Sequence, residues 1–198
     1  MVERRQISRI EPDTMALRAL AHPVRMRMLG LLRMEGPTTA TRLAERLGLN
    51  SGATSYHLRQ LSRHGFIEED ETRGNARDRW WRARHESTEF HTDATDGDAL
   101  DAAIGFAEAA LQAQIVQMKR ALARHGELSQ EWRKASTLSD ITIPLTAEAA
   151  QALVQRINEV IVEAMEGAPR LGGDYAPGVE PFTIMVHAFP HPPEAGDA

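Results

Sequence analysis

The sequence predicts a mainly α protein of the α+β class, with short helices, a two-stranded hairpin and a longer helical part. Three observations lead there. Between residues 14 and 64 apolar residues recur at helical spacing, interrupted by His22-Pro23, Gly36-Pro37 and Gly48. After Gly65 the period shortens to that of strands. From Asp98 one apolar stripe continues over several helical turns.

The first helix is expected over 14–21, with Leu17 and Leu20 inward. Pro23 suits the first position of a second helix, where its missing N–H has no partner to lose. That helix, 23–34, lines up Val24, Met28, Leu31 and Leu32. Gly36-Pro37 ends it, and Thr38 or Thr39 caps a short helix, 40–47, with Leu43, Ala44 and Leu47 inward. Gly48 stops this helix as a residue at positive φ would. Asn50 caps the next segment, 51–64, whose first residues are small or polar. Its inward face is Thr54, Leu58 and Leu61, spaced i, i+4 and i+7.

Residues 66–71 and 79–83 are expected to form two strands around a polar loop, 72–78, centred on Gly74-Asn75. Trp80-Trp81 is the densest aromatic patch; one ring should close the hairpin onto the helices while the other lies at the surface or a subunit contact. Residues 87–97 read as a polar linker and 98–135 as a long helix for dimerisation. In it Leu100, Ile104, Ala107, Leu111, Ile115, Met118 and Leu122 step by three and four residues. Such a seam is coiled-coil-like and about 33 Å long at 1.5 Å per residue. A second copy is its expected occupant, because the small preceding domain offers little surface to cover that length. Residues 136–190 read as a strand–helix–strand region for dimerisation or ligand sensing. Its strands are 138–145, where Ile141, Ile143 and Leu145 alternate, and 182–189; its helix starts at the Thr146 cap. Residues 191–198 are expected to be a disordered tail.

The 198 residues include no cysteine, which excludes disulfides, cysteine–zinc sites and thiol catalysis. No apolar run approaches the roughly 18 residues of a membrane span, and no apolar stretch follows the charged start, so a cytoplasmic protein without a membrane partner is expected. The net charge of −5 hides a division. Residues 1–86 hold 16 arginines against 11 acidic residues, whereas residues 87–198 hold 7 basic against 17 acidic. A basic half suits nucleic acid, and arginine is the cation best matched to phosphate and base edges.

Three short helices, a recognition-type segment and a hairpin follow the order of a winged helix–turn–helix, with residues 1–86 as its DNA-binding domain. Such a unit lays its second helix in the major groove and contacts bases from its N-terminal residues. Those residues must be small or polar, because bulk would hold the helix away. Asn50, Ser51, Ser55, Tyr56 and Arg59 meet that need, with Gly52 among them. Arg42, before the turn, is a phosphate candidate, and Arg73, Asn75 and Arg77 of the wing suit phosphate or the adjacent minor groove. Arg79 is the wing arginine expected to pair internally with the acidic run Glu68–Glu71.

The stretches "ALAHPVRMRMLGLL", "TATRLAERLGLNSGATSYHLRQLSRHGFIEED" and "RWWRA" resemble the DNA-binding domain of ArsR/SmtB-type winged-helix repressors over about residues 14–84. The resemblance implies a homodimer on a near-palindromic, double-stranded DNA operator, usually repressing and released by a small-molecule ligand. By position it sets Ser55, Tyr56 and Arg59 towards bases or nearby phosphates and His57 within the motif. The cysteine-containing metal motif of the metal-sensing members has no counterpart in 40–47, and the eight histidines show no ligand pairing. No metal and no cofactor are therefore expected. Nor is an enzyme, since no phosphate loop, nucleophile motif or carboxylate pair stands out. The alternative reading is a protein-interaction module whose winged helix no longer binds DNA.

Overall fold

The computed structural model describes residues 4–73, 79–90 and 97–191. The chain opens with β1 (Arg9–Ile10), followed by α1 (Thr14–Leu20), α2 (Pro23–Met34), β2 (Thr38–Thr39), α3 (Ala40–Leu47) and α4 (Ser51–Arg63). Each of these helices starts on a side-chain cap that accepts one otherwise unpaired N–H. Asp13 Oδ1 accepts from Ala16 N at 2.7 Å, His22 Nδ1 from Val24 N at 3.2 Å, and Asn50 Oδ1 from Ala53 N at 2.8 Å. Thr39, rather than Thr38, caps α3. The His22-Pro23-x-Arg25 run is a hinge between helices: His22 caps α2, Pro23 fills its first position, and the Arg25 side chain donates back to the Ala19 carbonyl near the end of α1.

Gly48 lies at φ +67° and its N–H closes α3, so a Cβ there would sit in a strained backbone region. Past α4, β3 (Ile67–Glu69) and β4 (Trp80–Ala83) form the hairpin. The sheet order is β2-β4-β3, antiparallel throughout, with Thr39 opposite Trp80 and Glu69 opposite Trp81. The third strand, β2, lies outside the two-strand expectation. So does β5 (Ser87–Thr88), which pairs in parallel with β1. That pairing, and the Phe90 ring edge-on to Phe106 at 4.6 Å, anchor the start of the expected linker 87–97.

One core joins these elements. Met28, Thr54, Leu58, Leu61, Phe66 and Ile67 are the largest of its fully buried side chains, and Trp81 lies in it while Trp80 stays half-buried. α5 (Gly97–Ala123) docks on α1 through Ala102, Ala103 and Phe106, all buried. Small alanines there let the two helices approach closely. By length and composition alone α5 also reaches what a bilayer span needs, contrary to the absence of such a run read from the sequence. Its docked first half, however, belongs to the core of the winged domain.

The helix expected over 98–135 is interrupted. After Ala123 comes a 3-10 turn, His125–Glu127, containing Gly126; Ser129 then caps α6 (Gln130–Ala135). Glycine weakens the helix and a serine side chain restarts it. α7 (Ala147–Gly167) follows on its Thr146 cap. Neither 138–145 nor 182–189 forms a strand, which corrects the strand–helix–strand expectation to a single helix between unpaired segments. Alternation makes a segment able to pair, but a ladder needs a neighbouring strand, and a single chain supplies none here. Ile141 is 81% exposed and Phe189 74%. Residues 192–198, most of the expected disordered tail, lie outside the described residues.

Truncating Leu58 to alanine should lower the unfolding free energy by about 2–5 kcal/mol, as measured by urea denaturation. A loss no larger than that of a surface substitution would remove α4 from the core.

Candidate nucleic-acid interface

α4 is held by one face only. Thr54, Leu58 and Leu61 are buried, and the Thr54 hydroxyl donates to the Asn50 carbonyl at 3.0 Å. The opposite face presents Ser51, Tyr56 and Arg59, all exposed, beside the half-buried Ser55. Arg59 Nε donates to the Ser55 carbonyl at 3.1 Å, which lays the guanidinium back along the helix. The Asn50 oxygen is engaged in the cap, leaving its amide nitrogen. The N-terminal end of the helix dipole adds a partial positive charge on the same side.

His57 sits behind this face. Its ring lies 4.6 Å from that of His22 and 5.4 Å, edge-on, from Tyr56. Its Nδ1 is buried and has no hydrogen-bond partner among the described residues. Burial, then the neighbouring His22 and Arg25, hold the His57 pKa below the usual histidine value; burial and Arg25 do the same to His22. Two imidazoles tilted 46° to each other thus meet behind Tyr56, and the capping bond of His22 ties the pair to α2. The sequence offered His57 as a motif residue; its partner His22 was legible only as a helix breaker.

Arg42 projects from the first turn of α3 and Arg73 from the end of the turn that follows β3, both exposed. That turn is fixed by Asp70, only 4% exposed, whose carboxylate accepts from the Thr72 hydroxyl at 2.6 Å and from the Thr72 N–H at 3.2 Å. The hydroxyl bond is the main cause holding the Asp70 pKa below the usual carboxylate range. Arg73 Nε lies 3.7 Å from the same carboxylate. Arg79 is paired with Glu69 at 3.2 Å and Arg82 with Glu68 at 2.9 Å. Among the described residues, no carboxylate lies within ion-pairing distance of Arg42 or Arg59. Asn75 and Arg77 lie outside the described residues.

The apolar seam of α5 points away from the face that packs on α1. Ile104, Leu111, Met118 and Leu122 are exposed, and Leu100 and Ile115 half-buried. A shallow cleft of about 740 Å³ separates α7 from the N-terminal segment, with Arg4, Arg9, Gln155, Asn158 and Glu163 among its lining.

Residues 20–70 match the model of a family described as a helix-turn-helix domain. No curated protein matches the chain significantly. Among solved structures, the chain is similar to the homodimeric winged helix-turn-helix DNA-binding domain of a candidate ArsR-family transcriptional regulator from Mycobacterium bovis. That similarity has 24% identity, covers 50% of this chain and 76% of that one, and has a TM-score of 0.34. It is similar to HlyU from Vibrio cholerae at 20% identity over 51% of this chain and 84% of that one, TM-score 0.31. A ZitR variant from Lactococcus lactis follows at 14% identity over 73% and 83%, TM-score 0.33. The chain carries a helix-turn-helix domain followed by a β-hairpin, the order of a winged helix-turn-helix fold.

The His22–His57 pair predicts a pH dependence of stability. With folded-state pKa values below about 6.5, the unfolded chain binds more protons between that value and the lowered ones, so stability falls as pH falls through this window. Urea midpoints measured from neutral to mildly acidic pH should drop, and His57→Gln should flatten the drop. An equal drop in the variant removes His57 as its source.

Proposed function

We propose that the protein is a sequence-specific DNA-binding transcriptional regulator, acting as a homodimeric repressor from the cytoplasm. The observation that carries this reading is the exposed polar face of α4. It is pinned from behind by Thr54, Leu58 and Leu61 and flanked by Arg42 and Arg59, which face no carboxylate among the described residues. A helix so presented suits the major groove, with Ser55, Tyr56 and Arg59 towards bases and Asn50, Ser51, Arg42 and Arg73 towards phosphates. The basic balance of residues 1–86 supports the same partner. The wing residues Asn75 and Arg77 extend the proposed contact surface.

Homodimerisation is supported by the C-terminal part. No described residue beyond Phe106 is buried, although α5, 138–145, α7 and 182–189 all carry large apolar side chains. An exposed apolar surface of that kind marks an interface, and a second copy meets the α5 seam on itself. Release by a small-molecule effector is part of the proposal, and the cleft between α7 and the N-terminal segment is where an effector would be sought.

Arg59→Ala or Tyr56→Ala should weaken operator binding by about 1–3 kcal/mol if the side chain reads a base. Native-protein pull-down of genomic fragments supplies the operator, and unchanged binding in Ser55, Tyr56 and Arg59 variants alike would reject this face. A protein-interaction module is separated by salt: neutralising Z phosphates gives a slope near −0.9Z in log affinity against log salt. For the dimer, Leu111→Glu should shift the sedimentation coefficient to that of a monomer; an unshifted variant would clear the α5 seam.

A further inference from the structure

The geometry points to Trp80 as a positioning residue that holds Arg42 and Arg73 ready for DNA phosphates. The inference rests on the DNA-binding reading above and adds to it a residue with no assigned role. Adjacent strand residues point to opposite faces of the sheet, and here Trp81 is buried in the core while Trp80 remains half-buried on the other side. Two cations converge on the Trp80 ring from two elements. The Arg42 guanidinium carbon lies 5.1 Å from its centroid and that of Arg73 5.8 Å.

The backbone around the ring is tightly fixed. Trp80 stands opposite Thr39, whose hydroxyl caps α3 three residues before Arg42. On its other side the Trp80 carbonyl accepts from Asp70 N at 2.9 Å, and Asp70 anchors the turn that ends at Arg73. One indole therefore lies where the α3 cap and the base of the wing meet.

Arg42 meets this ring and no carboxylate among the described residues, whereas Arg79 lies 5.7 Å from the Trp81 ring and is also paired with Glu69. A carboxylate partner occupies the N–H edges of a guanidinium, as Glu69 does for Arg79, Glu68 for Arg82 and Glu35 for Arg46. An aromatic ring meets the guanidinium as a π surface and leaves edge donors for a phosphate. It also narrows the side chain's conformational freedom before DNA arrives, so less is lost on binding. Arg73 lies near Asp70 as well, at 3.7 Å, longer than a direct hydrogen bond.

Because phosphate contacts carry no sequence information, the probe is a short random-sequence duplex, with affinity read by fluorescence anisotropy over a series of salt concentrations. Arg42→Gln and Arg73→Gln should each reduce the magnitude of the salt slope by about 0.9, and Trp80→Leu by about 1–2. Trp80→Phe, which keeps a ring, should retain most of the wild-type slope. In the Trp80→Leu background either arginine substitution should change affinity much less than in the wild type. Full-sized arginine effects in that background, or an unchanged slope in a folded Trp80→Leu protein, overturn the platform role. An unchanged slope in both arginine variants overturns it whether or not Trp80→Leu folds. A wild-type protein with no salt-dependent affinity for the duplex overturns the DNA-binding reading and the platform together. Binding that responds to Arg59→Ala but not to Trp80→Leu overturns the platform alone.

Discussion

Everything at the candidate interface depends on the one-sided burial of α4. Thr54, Leu58 and Leu61 are each no more than 1% exposed, and they anchor a helix whose remaining surface is free to be polar. The same anchor carries the hairpin: Phe66 N–H bonds to the Leu61 carbonyl at 3.0 Å, and Gly65 at φ +76° turns the chain directly from helix into strand. Phe66 and Ile67 then enter the core that holds the helix. A helix with so few apolar residues would not persist alone; here Met28 from α2, Leu43 from α3 and Trp81 from β4 complete its environment.

Arginine serves three distinct purposes around this core. Arg33 is structural: burial pushes its pKa down to about 10, and its donors reach the His85 carbonyl and the Thr88 hydroxyl, each at 2.9 Å, tying the exit of the wing to α2. Arg79, Arg82 and Arg46 form exposed ion pairs, whose contribution to stability is small in water. Arg42 and Arg59 face no carboxylate among the described residues. Basic residues thus divide between holding the hairpin in place and leaving charge available, and the division follows where the glutamates fall.

The C-terminal part obeys a different constraint. Arg170 reaches Glu86 at 3.4 Å and Arg5 Nε donates to the Ala168 carbonyl at 2.8 Å, so the segment after α7 meets the winged domain partly through polar contacts. Trp132 stacks on Phe182 with centroids 6.1 Å apart, one of few aromatic contacts there. Polar links of this kind position a segment but do not replace a core, because removing apolar area from water is the dominant favourable term in folding. A region in which no described residue is fully buried within one chain leaves apolar surface exposed for a partner.

Much of the winged domain was legible before any coordinates. The α4 triad, the stop at Gly48, the cap at Asn50 and the change of period after Gly65 all depend on residues within four or five positions of each other. The sequence by itself therefore determined the order of the helices, the hairpin and the polar face that now defines the candidate interface. Pairings between distant segments were not legible: β2 as a third strand, β1 against β5, Phe90 on Phe106, and the Ala102, Ala103 and Phe106 face of α5 hidden behind its more apolar seam. Only the tertiary structure decided which tryptophan enters the core, which arginines meet a ring, and that 138–145 and 182–189 remain unpaired. The physical reason is the same in each case: local periodicity states which face a segment can bury, while the partner that buries it comes from elsewhere in the chain.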